Sequence, residues 1–240
     1  ILIKYFKKIR LNKILQNKMG DYYKYAIGEI FLVVFGILIA LSINNWNEER
    51  KNILNEKNII QNIVEDLKLD SIHITKSLYE VRSQLKVVDE IISMSLNKGV
   101  IKDYNSIGLL RFSSDFRPIT QKNHSFFISN MKNEEVREKI QNYFLDEDKV
   151  LDMFIEYVDI IHNKVRPFLS ETGMHNLESL YDVNSVVNLN SDVLISQLSN
   201  IKFQQLLYER RLKSDSFENL LSNLKIENEK LVNYLNLFDE

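Results

Sequence analysis

The chain has 240 residues, enough for one membrane segment plus one domain with a real core. Apolar residues make up 45% and charged residues 27%, which excludes a disordered chain, while six Gly and two Pro are too few for the turns of an all-β fold. Cys is absent, which excludes thiolate chemistry and suits a chain facing an oxidising space, and the net charge of −2 is unevenly placed.

Residues 1–24 hold Lys4, Lys7, Lys8, Arg10, Lys13, Lys18 and Lys24 against Asp21, a net +6 that leaves −8 for the remainder. The next stretch, 25–43, reads YAIGEIFLVVFGILIALSI, with Glu29 its one charge. As a helix these residues rise about 28 Å, enough to cross the hydrocarbon core. The basic flank predicts a cytoplasmic N-terminus and places the rest of the chain, C-terminus included, on the far side. Trp46, among Asn44, Asn45 and Asn47, fits an interfacial anchor. A cleaved signal peptide is the competing reading, since Ala40-Leu-Ser42 offers small residues at cleavage spacing. The long basic leader and long apolar run favour a retained signal anchor.

Glu29 shares a helical stripe with Val33, Gly36, Ala40 and Ile43, and Gly36 with Ala40 forms a small-xxx-small pair. Two readings stand side by side. In one, the stripe is a self-association surface with Glu29 in the contact. In the other, Glu29 lies one turn from the inner interface and snorkels toward Lys24 or water.

Residues 44–240 read as an exported helical domain with long helices at about 48–98, 134–170 and 192–238. In the first, apolar residues recur at Ile60, Val64, Leu67, Ile74, Leu78, Val81, Leu85, Val88 and Ile92, broken at Ser71. Alternating steps of four and three describe a helix packed along a narrow seam. That helix is expected to continue from the anchor. Gly99, Gly108 and Pro118 then interrupt a Phe-rich stretch. Asn133 followed by Glu134 and Glu135 reads as an N-cap with acids in the first turn. The second helix carries Val136, Ile140, Tyr143, Glu147, Leu151, Phe154, Val158, Ile161, Val165 and Phe168, and Pro167 and Gly173 end or kink it. Residues 174–192, mixed and Asn-rich, are expected to be loop with a short helix. The last helix runs through Leu198, Ile201, Leu207, Leu212, Leu220, Leu224, Leu231 and Leu235, with a break expected near Ser214-Asp215. The expected fold is all-α: one transmembrane helix, then an antiparallel long-helix bundle with the 100–132 segment packed at one end.

Chemistry is harder to find. His162-Asn-Lys-Val-Arg-Pro167 has the spacing of a histidine-kinase phosphoacceptor box, but Asn163 stands where an acid is expected and no Gly-rich nucleotide domain follows. It reads as the polar edge of a bundle helix. His73, His124, His162 and His175 show no metal-ligand spacing. Phe112, Phe116, Phe126 and Phe127 fit aromatic core better than a pocket lining. Catalytic, cofactor and metal residues are therefore expected to be none. The basic leader adjoins the span, so anionic lipid explains it better than nucleic acid.

The stretch YAIGEIFLVVFGILIALSINNWNEERK resembles the signature of a family of small single-span membrane proteins of unknown function, widespread in Bacteroidetes. FRPITQKNHSFFISN and REKIQNYF resemble that family's middle region. The resemblance implies an inner-membrane anchor with a periplasmic domain and assigns no activity. The expectation is thus a membrane-anchored periplasmic scaffold, partner-binding or sensory-accessory protein, not an enzyme, that meets the bilayer and either its own copies or another membrane protein. The alternative is a single-span subunit of a proton-driven motor or energy-transducing complex using Glu29.

Overall fold

The computed structural model describes residues 19–181 and 188–239. Most of the basic leader, residues 1–18, lies outside the described residues. Two compact units are present, Ile1–Asn58 and Ile59–Glu240. Helix α1 (Met19–Ser95) carries the apolar segment in the first unit and the first bundle helix in the second. In the first unit that segment is helical and open on all sides, with Ile27 to Ile43 exposing most of its apolar side chains. It is long and apolar enough to cross a membrane.

The second unit is a helical bundle. After α1 come a 3-10 helix (Tyr104–Arg111), α2 (Thr120–Ile128) and α3 (Glu134–Ile160). A π-turn (Ile161–Val165) leads into α4 (Arg166–Glu171), and a 3-10 turn (Glu178–Leu180), α5 (Ser191–Gln197) and α6 (Ile201–Asp239) complete the order. Among the described residues, β pairing is confined to one bridge between His175 and Leu189. The all-α fold with an N-terminal apolar helix and a multi-helix bundle is as the sequence predicts.

One feature of the packing differs. Residues 100–132 do not sit at one end; they run back along α1. Lys102 N–H donates to Glu90, Ser77 meets Ser114, Ile119 and Thr120 meet Asp70, and His124 meets Asp66. The numbers fall on one side as they rise on the other, so this segment is an antiparallel fourth rod. It returns the chain so that α3 runs parallel to α1, with α6 antiparallel to both: Asn228 contacts Leu67 and Tyr143, and Lys213 pairs with Glu156.

The cause lies in the α1 seam. Its buried positions are Ile63, Asp70, Ser77, Gln84 and Ile91, seven apart, beside Ile60, Leu67, Ile74, Val81 and Val88. The seam therefore passes through Asp70, Gln84 and Ile91, not through Ser71, Leu85 and Ile92. Of the three successive polar residues at one heptad position, Asp70 and Ser77 bond the returning segment directly, whereas Gln84 accepts from Tyr157 Oη, which in turn accepts from the Ser114 amide. Asp70 accepts from the Ile119 and Thr120 amides and from the Thr120 hydroxyl at 2.6–3.2 Å. It thus caps α2 from another helix, which the α2 N-cap residue Ile119 cannot do for itself.

Helix α6 shows the same device. It buries Phe203, Leu207, Arg210, Ser214, Phe217, Leu221, Leu224, Asn228, Leu231 and Leu235 in unbroken four-three steps. No break occurs at Ser214-Asp215, because Ser214 is itself a seam residue. Ile201 and Leu212 are exposed instead. The Asn133 cap forms as the sequence predicts, accepting from Val136 N–H at 3.0 Å. Gly173 ends α4 with φ +68°, and the Met174→Leu169 and Gly173→Ser170 amide bonds close a Schellman motif over buried Leu169 and Met174. Two apolar cores result. One joins Ile60–Val81 of α1 to Phe116, α3 and Phe217–Leu235; the other joins Val87–Ile91 to the 3-10 helix, Val165–Met174 and Leu189–Leu207.

Candidate functional site

Among the described residues, three places stand out for their chemistry. The first is the stripe on the apolar helix. Val33, Ile43 and Trp46 are each more than half exposed, Gly36 has open space where a side chain would project, and Ala40 is exposed. Helical spacing puts Glu29, Val33, Gly36, Ala40 and Ile43 along one face.

The second place is a polar layer in the bundle. Glu147 of α3 is fully buried, with the Tyr143 hydroxyl and the Gln121 amide close to its carboxylate but neither aligned well enough to satisfy its oxygens. Burial first, then the Asp70 charge, raises its pKa to about 8, while the Tyr143 hydroxyl and the Gln121 amide pull the other way. Tyr143 is pushed far up by its own burial and then by Glu147. Asn228 of α6 donates to Tyr143 Oη and to the Leu67 carbonyl, both at 3.0 Å, and its Oδ1 lacks a donor. At neutral pH Glu147 is mostly a protonated acid held inside the bundle.

The third place is built around the end of the 3-10 helix. Arg210, fully buried on α6, donates to the carbonyls of Leu109, Leu110 and Phe112. Arg166 Nε donates to the Arg111 carbonyl at 2.8 Å. Two guanidinium groups thus satisfy four successive carbonyls at a turn end, where the backbone dipole favours cations. The π-turn brings Arg166 and His162 here. It inserts one residue into the α3 ladder, Val165 is buried in the core, and Pro167, which has no N–H to donate, follows after Arg166. His162 Nε2 lies 3.2 Å from Ser113 Oγ.

Electrostatically this corner is one-signed. Burial first, then Arg111, lowers Arg166 and His175; burial first, then Arg166, lowers His162. Arg210 falls to about 10, chiefly through burial. Arg111 Nε, His175 Nδ1 and Arg210 Nε are buried without partners.

The residues that the sequence singled out do not converge. The stripe lies on the apolar helix, and the kinase-like box is resolved into a π-turn whose His162 faces Ser113. Phe116 joins the core, where Phe154 and Phe217 meet it edge-on, whereas Phe126 and Phe127 are exposed. Among the described residues no cluster of three or more His, Asp or Glu is placed to hold a metal. Sequence reasoning placed Glu147 in a seam without marking it as buried chemistry, and it missed Asp70, Arg111, Arg166 and Arg210. A polar residue recurring at one heptad position was the available signal for Asp70.

Residues 29–115 match a family of unknown function (DUF6090). Over that stretch the chain is similar to this family. The matched residues include the stripe, Trp46, the polar positions Asp70, Ser77 and Gln84, and Arg111 at the end of the 3-10 helix. The FRPITQKN and REKIQNYF stretches lie beyond the match. No curated protein and no solved structure matches the chain.

Proposed function

We propose that this protein is an accessory component of the inner membrane, anchored by one helix with its N-terminus in the cytoplasm and its bundle in the periplasm. There it serves as a scaffold or sensory partner of other membrane proteins and catalyses no reaction. The observation that carries the anchor is the bare apolar helix of α1. Ile30, Phe31, Leu32, Val33, Phe35, Ile37, Leu38, Ile39 and Leu41 are each more than half exposed, an apolar surface far larger than water tolerates on a monomer. The net +6 of residues 1–24, against −8 beyond, supports the orientation. The absence of Cys and the resemblance to a Bacteroidetes family support the periplasm as the far side. Self-association through the Glu29–Ile43 stripe follows from its small residues.

Membrane fractions washed with alkaline carbonate test the anchor, and protease added to spheroplasts tests the orientation. The protein should stay in the pellet, and protease should degrade the bundle. Release into the wash, or a bundle protected until lysis, would contradict the proposal. A mature chain starting near Ile43 would show that the apolar segment is a cleaved signal.

A further inference from the structure

Elsewhere on this bundle arginines meet carboxylates: Arg82 pairs with Glu218, Arg211 with Asp89 and Arg117 with Asp115. Among the described residues, Arg111, Arg166 and Arg210 have no carboxylate within ion-pair distance. They nevertheless stand together, since Arg210 and Arg166 grip the carbonyls on either side of and at Arg111. Those bonds use neutral acceptors, so they satisfy donors and leave the positive charge uncompensated. Two donors also go unused, Arg111 Nε and Arg210 Nε, and His175 Nδ1 is likewise buried with nothing to bond. Gathering like charges and leaving donors idle both cost stability, and one bound species would relieve both costs.

We infer that this corner is a binding site for a small phosphate-class oxyanion, held by the Arg111 and Arg166 guanidinium groups with His162, His175 and Ser113 at its rim and buried Arg210 as a fixed charge behind it. Planar guanidinium forks match the oxygen spacing of phosphate, and an anion supplies acceptors without demanding a proton. The arrangement is preorganised: the π-turn fixes Arg166 and His162, and the 3-10 helix fixes Arg111. Arg111, Arg166 and His175 are partly exposed, so an ion reaches them from solvent. The ion can be free phosphate or the phosphate group of a larger molecule. The inference holds on whichever side of the membrane the bundle lies.

The test uses the full chain in detergent micelles, melted against rising inorganic phosphate in one arm and glycerol phosphate in the other, with chloride holding ionic strength constant. Phosphate also stabilises proteins by exclusion from their surface, so variants carry the reading. Arg111 makes no side-chain hydrogen bond among the described residues, so Arg111→Gln removes no clamp. Wild type and Lys76→Gln, an exposed control on α1, should show the same saturable rise in melting temperature in at least one arm. Arg111→Gln should bind at least about tenfold more weakly, the loss expected of one charge-assisted contact. Without phosphate, Arg111→Gln should melt no lower than wild type, because it relieves repulsion. Arg111→Lys keeps charge and bulk but not the fork, and should fall between the two. If phosphate and chloride act alike on wild type, the site does not exist. An undiminished shift in Arg111→Gln would place the anion elsewhere, and both results overturn the inference. Should Arg111→Gln fail to fold, wild type and Arg111→Lys decide it.

Discussion

Replacing Glu147 with Gln should raise the stability of the bundle at neutral pH and leave it unchanged in acid. Glu147 is held at about 8 in the folded chain against 4.5 for the free group. A carboxyl whose folded pKa lies above its unfolded one binds its proton more tightly when folded. Its contribution is therefore most favourable below 4.5 and is lost progressively as pH rises to about 8. At about 1.4 kcal/mol per pH unit, the interval from 4.5 to 7 costs about 3 kcal/mol. Gln keeps the shape and removes the ionisation, and its amide brings a donor into a layer where Asn228 Oδ1 lacks one. For a unit of this size about 3 kcal/mol corresponds to roughly 6–12 °C in melting temperature. The assay is thermal unfolding of wild type and Glu147→Gln followed by far-ultraviolet dichroism at steps from pH 4.5 to 8. The two curves should meet at the acid end and diverge upward, with the variant the more stable. Curves parallel across the whole range, or a variant less stable at pH 7, would show that Glu147 is ionised in the fold and that the polar layer is organised differently.

Two further substitutions probe separate links. Asp70→Ala removes the acceptor for the Ile119 and Thr120 amides and the Thr120 hydroxyl at the start of α2, and should cost about 2 kcal/mol, read as a lower denaturant midpoint; an unchanged midpoint would deny the cross-helix cap. A Cβ at Gly36 meets nothing within 4 Å among the described residues, so reduced crosslinking of Gly36→Ile in native membranes would report a neighbouring copy, and equal yields would mean that the stripe faces lipid.

The fold class was legible because the signals that encode it are periodic. A nineteen-residue apolar run and repeated four-three spacing need no tertiary information to read. The returning segment was not legible for the complementary reason: residues 100–119 have no period, and what orders them is the polar row of α1, Asp70 and Ser77 directly and Gln84 through Tyr157. Hydrophobic counting skipped those three positions, moving the seam to Ser71, Leu85 and Ile92. It made the same error on α6, where Leu212 and Leu220 were taken for seam residues in place of Arg210 and Phe217. The guanidinium corner joins Arg111, Arg166 and Arg210 from three separate elements. Sequence spacing carries no trace of such a meeting. The π-turn was visible only as His162 and Pro167, a pattern whose sequence meaning was a kinase box and whose structural meaning is a ladder widened by one residue.

The membrane topology is tested most directly by cysteine labelling, for which a chain without Cys is a ready background. Lys8→Cys in the leader and Lys76→Cys on the exposed face of α1 would each be treated, in intact spheroplasts, with a maleimide that cannot cross membranes. The account predicts that Lys76→Cys labels at once and Lys8→Cys only after lysis. Labelling of Lys8→Cys alone in intact spheroplasts, or of neither site before lysis, would contradict it.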